Sequence, residues 1–151
     1  MNANDAAPQQ PIRAAALADA AEMARLLSLL GHRTTREELE RRWADWVAAG
    51  NTALVVPRAD ATLAGLAVLH RMHVLHRPRP VGRVTALVVD RDARGLGLGR
   101  ALLAAAEAAC RAAGCGLMEI TSHERLVDAH AFYAHLGYER TSLRFARELG
   151  G

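Results

Sequence analysis

The sequence predicts an α/β (α+β) domain on three observations. Apolar runs of strand length alternate with amphipathic stretches of helix length from residue 12 to residue 149. Helix caps and glycines mark the boundaries between them. The chain has 151 residues, 51% hydrophobic and 23% charged, which is the size and balance of one domain with a full core.

Residues 1–10 are small, polar and proline-containing, and are expected to form a disordered tail ahead of a single domain at 11–151. Residues 12–15 read as a short strand. Asp19-x-x-Glu22 then offers a capping-box start to a helix carrying Met23, Leu26, Leu27 and Leu30 on one face, stopped by Gly31. Thr35-x-x-Glu38 starts a second helix with Leu39, Trp43, Trp46 and Val47 inward, closed by Gly50. Residues 52–56 and 63–69 read as strands joined by a turn at 57–61, and 84–89 as a third run. A helix is expected over 99–113, with Leu98, Leu102, Ala105, Ala109 and Ala112 as its apolar stripe. A strand at 117–121, a helix at 128–136 and a closing strand at 142–149 complete the pattern.

Composition excludes several functions. All 19 Lys+Arg residues are arginine, so Walker-type phosphate binding and Schiff-base chemistry both lack their lysine. Cys110 and Cys115 have no companions at zinc spacing and are expected as free buried thiols of a cytoplasmic protein. No apolar run approaches membrane-spanning length, so no membrane partner is expected. The net charge is only +3 and the arginines are spread along the chain, which argues for an acidic small molecule and against nucleic acid.

The chemistry-bearing stretch is Arg94-Gly95-Leu96-Gly97-Leu98-Gly99-Arg100, between the strand at 84–89 and the long Ala/Leu helix. Glycines let an anion approach the backbone, and the helix start adds its positive dipole end. The dinucleotide fingerprint G-x-G-x-x-G fails, because Arg100 and Leu102 stand where its last glycine belongs. Glu119, about 20 residues downstream, is then a coincidence rather than a ribose ligand. Such a turn is in other proteins only a tight connection. Here Arg94, Gly97 and Gly99 meet [Q/R]-x-x-G-x-[G/A]. The later segment Asp128-Ala129-His130-Ala131-Phe132-Tyr133-Ala134-His135-Leu136-Gly137-Tyr138 meets A-x-x-F-Y-x-x-L-G-[F/Y].

Together these two segments resemble the GNAT superfamily of N-acetyltransferases over roughly residues 84–140. The resemblance implies the GNAT fold, a central mixed, mostly antiparallel sheet of six to seven strands flanked by about four helices. It implies acetyl-CoA as cosubstrate, direct acetyl transfer to a primary amine of a small molecule, and a homodimer as one arrangement. Transferred residue by residue, it assigns acetyl-CoA to Leu87, Val88, Val89, Arg94, Gly95, Leu96, Gly97, Leu98, Gly99, Arg100, Ser122, His130 and Tyr133. Only the backbone of 87–89 would function, through an amide facing the acetyl carbonyl.

Amine attack on a thioester needs a proton acceptor, a donor to the carbonyl, and an acid for the departing thiolate. The resemblance gives Tyr133 as that acid; the alternative is a core aromatic with a satisfied hydroxyl. Glu119 is a candidate base, with an ion-paired edge carboxylate as its alternative. His70, His73 and His76 form an unusual cluster that offers bases, metal ligands or simple loop residues. Within the superfamily, residues 65–89 and 121–149 look most like aminoalkylphosphonate N-acetyltransferases, which share His70 and His76 and are associated with a divalent metal. This chain has Arg83 and Ala86 where those proteins place carboxylates, so no metal ligand is assigned. His70, His76 and Arg83 are the acceptor-site candidates, and Arg77, Arg79 and Arg83 either suit an anionic amine or form a solvated loop, the more common case. Aminoglycosides, polyamines, protein N-termini and a non-catalytic acyl-CoA-binding module are the alternatives. The acidic run Glu37, Glu38 and Glu40 reads as a solvated helix face.

Overall fold

The structure is a computed structural model that describes residues 11–151; the tail expected at 1–10 lies outside the described residues. The chain divides into two compact units, one ending at Thr121 and one running from Ser122 to Gly151.

The first unit is built on five strands, β1 (Arg13–Ala14), β2 (Asn51–Pro57), β3 (Leu63–Met72), β4 (Val81–Val89) and β5 (Leu117–Ile120), in that spatial order. β1 to β4 are antiparallel neighbours, and β5 joins β4 in parallel. The helices are α1 (Ala20–Leu29), α2 (Arg36–Ala48) and α3 (Leu98–Ala112). Both faces of the sheet are covered, as strand alternation requires. Ala53, Val55, Leu66 and Val88 pack with Met23 and Leu26 of α1 and the half-buried Trp43 and Trp46 of α2. The intervening Leu54, Val56, Ala67, Leu87 and Val89 pack on the other face with Leu98 and Leu102 of α3. Leu102 is wholly buried, and truncating it to Ala would cost about 2–5 kcal/mol. Glycines in the strands let α3 approach closely: a Cβ on Gly65 would meet Leu102 Cδ1 at 3.0 Å, and one on Gly82 would meet Cys110 Sγ at 2.2 Å.

Several local readings change. α1 does not use the Asp19/Glu22 box. The chain enters through a 3-10 turn at Leu17–Asp19, Asp19 accepts from the Ala16 amide at 2.8 Å and from Arg13, and Glu22 is drawn to Arg25 and the Leu63 amide. α2 has the expected box, with Thr35 Oγ1 accepting from the Glu38 amide at 3.2 Å and Glu38 Oε2 from the Thr35 amide at 2.9 Å. Its Val47 is exposed rather than inward. On α3 the buried stripe is Leu98, Leu102, Leu103, Ala106 and Cys110, while Ala112 faces solvent. An alanine-rich helix carries little of its own orientation, so the bulky Leu103 and the fit of Cys110 over Gly82 decide it.

The second unit contains α4 (Val127–His135), followed by Gly137 at φ +91°. The closing strand expected at 142–149 does not form, which leaves five strands instead of six to seven among the described residues. Leu143, Phe145 and Leu149 are 69%, 90% and 88% exposed. An apolar alternation can specify a face, but a strand also needs a ladder partner for its amides and carbonyls.

Candidate active site

β4 and β5 part company midway. Their register runs from Val81 opposite Leu117 to Val84 opposite Ile120, and a last bond joins the Thr121 amide to the Val84 carbonyl at 3.2 Å. β4 continues alone on that side to Val89. A bulge sits at the same point: Val68 faces Ala86 and Leu69 faces Val84, so Thr85 is the extra residue. The antiparallel pattern then fixes which backbone groups are turned outward. The Asp90 amide donates to the Ala64 carbonyl at 2.8 Å, so Val88 and Ala86, at even steps from it, also direct their amides and carbonyls to β3. Leu87 and Val89 direct theirs into the gap beyond β5. Consistently, the Val89 carbonyl accepts from Arg94 Nε at 3.4 Å. Of the three backbone positions singled out in the sequence, Leu87 and Val89 face the gap and Val88 is spent on the ladder.

From this gap the chain passes directly into the glycine turn. Asp90 caps a 3-10 turn at Arg91–Ala93, accepting from the Arg91 amide at 2.9 Å. Gly95 and Gly97 follow in left-handed conformations, φ +78° and +76°, and a Cβ on either would project into open space. α3 starts at Leu98, and its first helical bond runs from the Ala101 amide to the Gly97 carbonyl at 3.0 Å. The amides of Leu98, Gly99 and Arg100 therefore have no partner within the helix. Leu98 anchors the turn in the core, while Arg94, Leu96 and Arg100 are exposed around it. Open space over two left-handed glycines, unpaired amides and flanking guanidinium groups fit a pyrophosphate.

Sequence reading missed what holds this turn. Arg25 of α1 bonds Glu22 at 2.8 Å and Asp90 at 3.0 Å, and Arg58 from the β2–β3 connection bonds Asp90 at 3.2 Å and Asp92 at 2.5 Å. Burial works against the Asp90 carboxylate, but the hydrogen bonds from Arg25, Arg58 and the Arg91 amide prevail and hold its carboxyl below the usual value. The Glu22 carboxyl is likewise lowered, chiefly by Arg25. A charge alternation across residues so distant in sequence gives no local signal.

A polar row crosses the sheet on the α1/α2 face. The register places Asn51 beside His70, His70 beside Arg83, and Arg83 beside Glu119. Glu119 accepts from Arg83 Nε at 2.6 Å and also ion-pairs through Nη2. His70 Nδ1 lies 2.5 Å from Asn51 Oδ1. His70, Arg83 and Glu119 are thus brought together, whereas His76 lies exposed in the connection between β3 and β4 with His73, Arg77 and Arg79. Among the described residues no three His, Cys, Asp or Glu side chains gather as a metal set. His70 and Asn51 also line a cavity of about 240 Å³ that extends to Cys110 and Cys115.

The second unit carries Ser122, His130 and Tyr133. Ser122 is half-buried, and His130 Nε2 is 3.0 Å from the His123 carbonyl. Tyr133 packs its ring against Phe132 and Tyr138, with centroids 5.6 Å and 6.3 Å away. Burial raises the Tyr133 phenol above its ordinary pKa, so it holds its proton.

The mixed sheet thus opens beside a glycine turn and a helix start. The chain belongs to the acetyltransferase (GNAT) family, whose model matches residues 20–138. It is 36% identical over 90 residues to an aminoalkylphosphonate N-acetyltransferase of Salmonella typhimurium, a match covering 60% of this chain and 58% of that protein. It is also 36% identical over 108 residues to an aminoglycoside N(6')-acetyltransferase type 1 of Stenotrophomonas maltophilia, covering 70% of this chain and 69% of that one. The chain thus spans less than two thirds of the first of these relatives. Among solved structures, an acetyltransferase of Trypanosoma brucei superposes with a TM-score of 0.81 at 25% identity, over 94% of this chain and 100% of that one. No helix among the described residues is long and apolar enough to cross a membrane.

Proposed function

We propose that this chain, read as a single GNAT domain over 11–151, is an acetyl-CoA-dependent N-acetyltransferase acting on a primary amine of a small molecule. The observation that carries the reading is the continuity of the gap at Leu87 and Val89 with the glycine turn that starts α3. Bound acetyl-CoA supplies an activated acetyl group and a thiolate leaving group. The turn amides, with Arg94 and Arg100, receive its pyrophosphate. The outward amides of Leu87 and Val89 donate to the acetyl carbonyl as charge develops on its oxygen. The amine loses a proton, its nitrogen bonds the acetyl carbon, and the carbon–sulfur bond breaks. The family resemblance assigns Tyr133, kept protonated by burial, to give its phenol proton to the sulfur and regain one from water, and Ser122 and His130 to cosubstrate binding.

The acceptor class we favour is an amine bearing a phosphonate or similar anion. The name of the Salmonella relative and the arginines at 77, 79 and 83 support it. His76 and Arg83 belong to that acceptor proposal, Arg83 with its charge shared with Glu119. We place the protein in the cytoplasm and propose a homodimer in which a second copy covers Leu143, Phe145 and Leu149; light scattering across a concentration series tests it. An acetyl-CoA consumption assay over anionic, neutral and cationic amines, with and without divalent metal, tests the function. Acetyl-CoA binding without turnover of any amine would instead identify a regulatory acyl-CoA-binding module.

A further inference from the structure

The acetyl-transfer reading leaves the proton acceptor open, and the polar row across the sheet supplies a specific answer. Asn51 follows Gly50 at the end of α2, and its Nδ2 donates to the Trp46 carbonyl at 2.8 Å. That carbonyl is one of the last in α2 and can only accept. The amide is therefore oriented: nitrogen toward Trp46, Oδ1 toward His70. At 2.5 Å from an oxygen that can only accept, His70 Nδ1 must carry the hydrogen. In the neutral ring the hydrogen is then on Nδ1 and the lone pair on Nε2.

We infer that Asn51 is a positioning residue that fixes His70 as the proton acceptor for the incoming amine, through Nε2, an inference resting on the acetyltransferase reading above. Position supports the role. His70 stands two residues from Val68, which faces Ala86 at the edge of the bulge, about 7 Å along the strand. It lies on the α1/α2 face, in register with Arg83, one residue before the last β4–β5 pair at Val84 and Ile120. The ionisable groups in register with His70 are Arg83 on β4 and, beyond it, Glu119 on β5, and Asn51 links the ring to the Trp46 carbonyl of α2. Glu119, the other candidate, already accepts from Arg83. In the step itself the amine proton moves to Nε2, the nitrogen–carbon bond forms as the carbon–sulfur bond breaks, and the imidazolium later yields its proton to water.

Two measurements test this. Side-chain nitrogen NMR of the full chain, free of ligand, should show His70 as the Nδ1–H tautomer, lost in Asn51→Leu and kept in Asn51→Asp. In parallel, His70→Ala should lower kcat about 100-fold or more with acetyl-CoA KM unchanged, and remove the acidic limb of the kcat/KM profile. Asn51→Leu should lower kcat about tenfold, Asn51→Asp should restore most of it, and Glu119→Gln should keep the acidic limb. Calorimetric acetyl-CoA binding checks that each variant is folded. An Nε2–H tautomer in the unmodified protein, or an acidic limb surviving in a folded His70→Ala, overturns the inference. Absence of turnover in the unmodified protein overturns the transferase reading and with it the base role, while the tautomer measurement still decides whether Asn51 orients the ring.

Discussion

Arg25 of α1 holds the carboxylate of Asp90, the residue immediately after β4, at 3.0 Å. This contact ties the helix that covers one face of the sheet to the segment that leads into the glycine turn. Arg25→Gln should therefore lower stability modestly, by about 1 kcal/mol given its partial exposure, and weaken acetyl-CoA binding several-fold. The pH dependence has a definite sign. The Glu22 and Asp90 carboxyls are lowered in the folded state, so their contribution is present above the ordinary carboxylate pKa of about 4 and is lost as pH falls through their folded values. Denaturant titrations from pH 6 downward should show Arg25→Gln converging on the unmodified protein in acid; a constant gap would mean the pairs contribute nothing.

The turn itself is tested at Gly97. A Val there meets open space, so the fold survives with about 1–2 kcal/mol of left-handed strain, but the side chain occupies the anion's position. Calorimetry should find acetyl-CoA binding lost in a protein that still unfolds cooperatively. Full binding by Gly97→Val would move the pyrophosphate elsewhere.

For Tyr133, Phe should lower kcat about 100-fold with acetyl-CoA affinity nearly unchanged. Because burial raises the phenol, the alkaline decline of kcat in the unmodified protein should lie above the ordinary tyrosine pKa of about 10, and should vanish in the variant. A variant that loses only thermal stability would make Tyr133 a packing residue.

Gly82→Ala probes the contact between β4 and α3. The added Cβ would fall 2.2 Å from Cys110 Sγ, and should cost about 1–3 kcal/mol. Cys110→Ala in the same chain should recover most of it, a coupling that a double-mutant cycle measures directly. Burial, with Cys115 beside it, pushes the Cys110 thiol up to about 11, so alkylation of the native protein at pH 8 should be slow at this position. Rapid native-state labelling at Cys110 would contradict that environment.

What the sequence determined by itself is what rests on neighbours in the chain. Thr35 and Glu38 cap α2 because both partners lie within one helical turn. The glycines at 95 and 97 announce left-handed backbone, and the run of Ala and Leu after them announces α3. Tertiary structure decided everything that depends on register or on a distant partner. Whether Glu119 is free or ion-paired depends on Arg83 standing opposite it across a parallel pair, and the His70 tautomer depends on an asparagine brought alongside from β2. Asp90 gains its two arginines only when α1 and the β2–β3 connection converge on the end of β4. The segment at 142–149 has the alternation of a strand and forms none, because hydrophobic pattern is a property of the chain whereas a hydrogen-bonding edge must come from another part of the molecule.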